Sequence, residues 1–88
     1  MNNIEQKIKR VIADVVYNRQ KVNIKVENNS KLEDDLGIDS LEALLLIFAI
    51  EEKFLIQIPR SYGTYKYETV QDVIDIVSKL KEAQDERT

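Results

Sequence analysis

Isoleucine and valine return at helical intervals near the start of the chain, at Ile4, Ile8, Val11, Ile12 and Val15, with Glu, Lys and Arg between them. That spacing draws one apolar stripe along a helix and predicts an amphipathic first helix over residues 3–17. From Asn18 to Asp39 the pattern breaks into a long connection. Asn28-Asn29-Ser30 is a turn signal, and Val22, Ile24, Val26, Leu32, Leu36 and Ile38 are available to pin the loop to a core. The alternation of Val22, Ile24 and Val26 also fits a strand, but one short strand without a partner is not stable, so an anchored loop is expected.

Asp39-Ser40-Leu41-Glu42 has the form of a capping box, in which Asp39 accepts from the amide of Glu42 and the Glu42 side chain reaches back to the cap. A second helix is therefore predicted from Ser40 to about Phe54, with Pro59 closing the segment after it. The stretch holding Arg60, Tyr62, Gly63, Tyr65, Lys66 and Tyr67 is irregular and allows at most a short helical turn. Thr69, with Asp72 three residues on, starts a last helix whose apolar face is Val70, Val73, Ile74, Val77 and Leu80; the polar tail 82–88 is expected to fray. The whole reads as one all-α domain over 1–88 with its core at about 4–81.

The second helix carries more apolar residues than one stripe needs. At roughly 100° per residue, Ala43, Leu46, Ile47, Ile50 and Phe54 share one arc, whereas Leu41, Leu44, Leu45 and Phe48 share the opposite one. Glu51 and Glu52 lie within or beside the second arc, and an unpaired carboxylate is costly to bury, so the second arc is expected outside. Exposed apolar surface rimmed by charge marks a contact site.

Composition narrows the chemistry. With no Cys and no His, disulfides, thiolate metal sites and the commonest general base are excluded, and no acid, base and nucleophile set can be assembled; an enzyme is not expected. The net charge is only −3, yet 32–52 holds seven carboxylates and no Lys or Arg, while 1–31 holds seven basic and three acidic residues. An acidic centre suits a basic protein partner and repels nucleic acid. Calcium is not indicated: setting Gly37 at the sixth position of an EF-hand loop puts Leu32 at the first. The tyrosines read as closing the core over the third segment. The longest apolar run, Ala43 to Ile50, is too short to span a bilayer, and a cytoplasmic, soluble monomer is expected.

Ser40 is the chemistry candidate. It stands just inside a capped helix start whose dipole and free amides favour a phosphate, and Gly37 relieves the turn that leads into it. By itself a serine there is more often only a favourable end residue. The longer string decides: Leu32-Glu33-Asp34-Asp35-Leu36-Gly37-Ile38-Asp39-Ser40-Leu41-Glu42, then Ile50-Glu51-Glu52-Lys53-Phe54, Ile58-Pro59 and Thr69-Val70-Gln71-Asp72-Val73. Over residues 4 to 81 this resembles the acyl carrier proteins. The resemblance implies a four-helix bundle with a long first loop and a short or irregular third helix. It implies that a phosphopantetheinyl transferase moves 4'-phosphopantetheine from coenzyme A to Ser40, in a frame made by Gly37, Asp39 and Leu41, and that the arm holds acyl groups as thioesters for lipid, fatty-acid or polyketide synthesis. The helix after Ser40 would meet acyl-transferring or synthase enzymes with basic docking surfaces through Glu42, Leu44, Leu45, Phe48, Glu51 and Glu52. The core arc and last helix would form a pocket for an acyl chain.

Two departures stand out. Leu45 occupies a position that is typically Glu in the fatty-acid carriers, and the segment after Pro59, typically acidic, reads Arg60-Ser61-Tyr62-Gly63-Thr64-Tyr65-Lys66-Tyr67. A carrier dedicated to a specialised pathway is expected from these. The alternative reading is an interaction module of the same fold that is never modified, against which the retained Asp39-Ser40-Leu41 counts.

Overall fold

The computed structural model describes residues 3–59 and 67–86. Within them the chain forms three helices, α1 (Asn3–Gln20), α2 (Ser40–Phe54) and α3 (Val70–Glu86). Among the described residues there is no strand, and the only ladder pairing is an isolated bridge between Lys31 and Thr69. The expectation of a short helical turn over 60–66 lies outside the described residues.

The apolar stripe of α1 is buried as its spacing requires: Ile8, Val11 and Ile12 lie in the core, Ile4 and Val15 pack on its edge, and Val16 joins them. The helix runs to Gln20 rather than stopping at residue 17. Arg19 and Gln20 are good helix formers, and a cation in the last turn suits the negative end of the helix. It ends where Lys21 adopts a left-handed φ of 60° and its amide donates to Tyr17 O at 2.8 Å.

The long loop is anchored as expected by Leu32, Leu36 and Ile38, with Ile24 and Val26 packed on the core, but Val22 is exposed and pins nothing. It directly follows the left-handed turn at Lys21. Farther on, Asn28 links three elements: its Nδ2 donates to Glu5 of α1 and, at 2.8 Å, to Gln71 Oε1 of α3, while its carbonyl accepts from Gln71 N. From Lys31 to Ile38 the backbone coils through Asp35 N to Lys31 O, Gly37 N to Glu33 O and Ile38 N to Leu32 O, at 2.9–3.0 Å.

The capping box of α3 is reciprocal, with Asp72 N donating to Thr69 Oγ1 and Thr69 N to Asp72 Oδ2. Its helix does not fray at Glu82 but continues to Glu86. The reason is tertiary: Lys81 Nζ and Gln84 Nε2 donate to the carbonyls of Phe54 and Leu55, the otherwise unpaired end of α2. Helix α1 packs against both α2 and α3, and the described residues leave a space between those two. No helix among the described residues is long and apolar enough to cross a membrane.

Candidate functional site

The start of α2 is set by Asp39, whose extended backbone (φ −86°, ψ −176°) turns its side chain over the first turn. Oδ1 accepts from Glu42 N at 2.8 Å, and the Asp39 carbonyl accepts from Ala43 N at 2.8 Å. Among the described residues no hydrogen bond uses the amides of Ser40 and Leu41 or the hydroxyl of Ser40. Ser40 is exposed. An accessible hydroxyl, with free amides at the positive end of a 15-residue helix, suits a covalently held phosphate.

Gly37 shapes the approach. Its φ is +67°, and a Cβ there would stand 3.3 Å from Gln20 Oε1. Gly37→Ala therefore meets two penalties, left-handed backbone and a crowded neighbour. We expect a loss of about 1–2 kcal/mol, seen as a lower urea midpoint with unchanged slope.

Beside Ser40 opens a cavity of about 430 Å³ that runs between α2 and α3. Ser40, Asp39 and the polar Lys31 and Glu33 stand among its lining, and farther in the walls are Ala43, Leu46, Ile50, Val73 and Val77. Close packing is the rule in protein interiors, so a space of this size in so small a chain is a ligand-sized feature. Its size and its mixed lining, polar beside Ser40 and apolar along α2 and α3, fit a flexible arm such as phosphopantetheine attached at Ser40.

The two arcs of α2 separate as their composition demands. Leu46, Ile47, Ile50 and Phe54 are buried, whereas Leu41, Leu44, Leu45 and Phe48 are exposed, Leu41 at 53% and Phe48 at 45%. Of the carboxylates expected on the rim of that face, Glu42 is turned inward and Glu51 is only partly exposed. Glu42 is only 3% exposed; instead of reaching back to the cap, its carboxylate accepts from Gln20 Nε2 at 3.1 and 3.3 Å. Glu51 is half-buried and accepts from the backbone of Ile58 at 2.8 Å, bracing the chain before Pro59. Asp39 and Glu52 remain exposed. Gln20 is the residue that sequence reasoning missed, because no local pattern announces a contact 22 residues away. No cluster of candidate metal ligands occurs among the described residues.

Comparison with known proteins agrees with this geometry. Residues 6–77 match the family described as "Phosphopantetheine attachment site". The chain is 44% identical over 81 residues to the acyl carrier protein of Buchnera aphidicola subsp. Schizaphis graminum (strain Sg), covering 89% of this chain and 94% of that protein. It is 40% identical over 79 residues to the acyl carrier protein of Buchnera aphidicola subsp. Acyrthosiphon pisum (strain Tuc7), covering 90% and 94%. The fold matches the crystal structure of an acyl carrier protein from Thermotoga maritima with a TM-score of 0.77 at 23% identity, over 93% of this chain and 95% of that one. With a family match spanning most of its length and near full-length relatives at 40–44% identity, the chain belongs to the acyl carrier protein family.

Proposed function

We propose that this protein is a non-catalytic carrier whose Ser40 takes the phosphopantetheine arm. The observation that carries the reading is the exposed hydroxyl of Ser40 at a capped helix start, beside a cavity lined by charged residues and by the apolar side chains of α2 and α3. In the loading step Ser40 Oγ attacks the phosphorus of coenzyme A nearest the pantetheine; the new O–P bond forms, the P–O bond of the pyrophosphate bridge breaks, and adenosine 3',5'-bisphosphate leaves with the bridging oxygen. The serine proton would go to a base of the transferase, since this chain has no His and Asp39 spends Oδ1 on the helix cap. Once joined, the arm supplies a terminal thiol that holds an acyl group as a thioester. The chain's own part is then to present the arm at high local concentration and to shelter an apolar cargo between α2 and α3.

Partner enzymes would dock on the exposed face of Leu41, Leu44, Leu45 and Phe48, with Asp39 and Glu52 meeting their basic groups. With Glu42 buried and one oxygen of Glu51 held by Ile58 N, apolar contact would outweigh charge there. Relatives named acyl carrier protein over nearly the whole chain favour fatty-acid-type biosynthesis as the setting; a specialised pathway rests on Leu45 and the 60–67 sequence.

The test is intact and peptide-level mass spectrometry of the wild-type protein after incubation with coenzyme A and a broad-specificity phosphopantetheinyl transferase. One phosphopantetheine, mapped to Ser40, is expected. No addition with several transferases would give the lead to an unmodified interaction module.

A further inference from the structure

We propose that Gln20 is a positioning residue for Ser40, a role that rests on the reading of Ser40 as the loaded residue. Gln20 is the last residue of α1, before the left-handed Lys21, and its side chain lies against the loop before α2. Its Nε2 lies 3.2 Å from Leu36 O, 3.2 Å from Gly37 O, and 3.1 and 3.3 Å from the two oxygens of Glu42. Its Oε1 sits over Gly37, 3.3 Å from where a Cβ would be. One side chain therefore clamps the backbone three and four residues before Ser40 and the helix turn two residues after it.

Among the described residues Glu42 has no other side-chain partner, and a buried carboxylate deprived of its donor is driven toward water. Loss of Gln20 would thus release both ends of the 36–42 segment together. Of the apolar docking face only Leu41 falls in that segment, while Leu44, Leu45, Phe48 and the exposed Glu52 lie beyond it, so the effect should fall mainly on alignment of Ser40 Oγ for attack rather than on encounter. Misplacement of a reacting atom by about 1 Å is enough for a large rate loss.

The experiment compares wild type, Gln20→Ala and Gln20→Lys as substrates of a phosphopantetheinyl transferase with saturating coenzyme A, and measures amide hydrogen exchange on the same unloaded proteins. For Gln20→Ala the expected result is a fall in kcat of about tenfold with KM within about twofold. Exchange should speed up at residues 37–42 while protection in α3 is unchanged. Lysine restores a donor within reach of Glu42 and should recover most of kcat. An unchanged kcat, a change confined to KM, or failure of lysine to restore the rate overturns the proposal; so does loss of protection throughout α3, which would make Gln20 a residue of global stability. If the wild type is not loaded, the Ser40 reading fails, and the exchange data still decide whether Gln20 orders residues 37–42.

Discussion

Ser40→Ala is expected to abolish loading altogether while leaving the fold where it was. The two halves of that expectation have separate physical grounds. Loading disappears because no other residue offers an exposed hydroxyl at that helix start: Thr69, which begins α3, spends its Oγ1 on the amide of Asp72, and Ser30 accepts from Glu27 N inside the loop. Stability stays because Ser40 is not the cap. Asp39 is, and alanine is at least as good a helix former as serine at the first helical position. The melting temperature should move by no more than about 2 °C, a small shift for a domain of this size. Asp39→Ala is the contrasting variant, since it removes the cap and should cost about 1 kcal/mol. A Ser40→Ala protein still modified at another residue would move the site; one that unfolds would show that the hydroxyl is structural.

Much of this site was legible in the sequence, for a reason visible in α2. Helical periodicity and the cost of burying charge were enough to assign Ala43, Leu46, Ile47, Ile50 and Phe54 inward and Leu41, Leu44, Leu45 and Phe48 outward. Both caps were legible too, because an N-cap and its N3 partner are three residues apart and interact locally. What could not be read were the contacts made by long polar side chains across the fold. Glu42 and Glu51 looked like surface carboxylates because their own helix offers them nothing. One is held by an amide from the end of α1 and the other by a backbone N–H seven residues on. The continuation of α3 past Glu82 has the same character, since Lys81 and Gln84 find their acceptors at the end of α2. Periodicity reports which side of a helix is apolar, whereas polar tertiary bonds depend on where another element happens to end.

The cavity leads to the second large expected effect, a difference between two isoleucines that are both buried. Ile12 is 0% exposed, in the middle of α1, and is not part of the cavity wall; Ile50 is 1% exposed and lines it. At about 0.05–0.15 kcal/mol per residue, a chain of 88 residues has only about 4–13 kcal/mol of stability, so either truncation should be conspicuous. Ile12→Ala opens a new void where α1 packs the core and should cost about 3–5 kcal/mol. Ile50→Ala enlarges a space that already exists, so fewer contacts are lost and the cost should be nearer about 2–3 kcal/mol. Urea unfolding of the two variants measures the difference directly. Equal costs would mean that α2 and α3 close on each other in solution and that no standing cavity waits for a cargo. Ile50 also lies ten residues beyond Ser40, about 15 Å along the helix. Loading of Ile50→Ala should therefore stay within about twofold of wild type wherever the protein remains folded, which separates the stability of the cavity wall from the chemistry at its mouth.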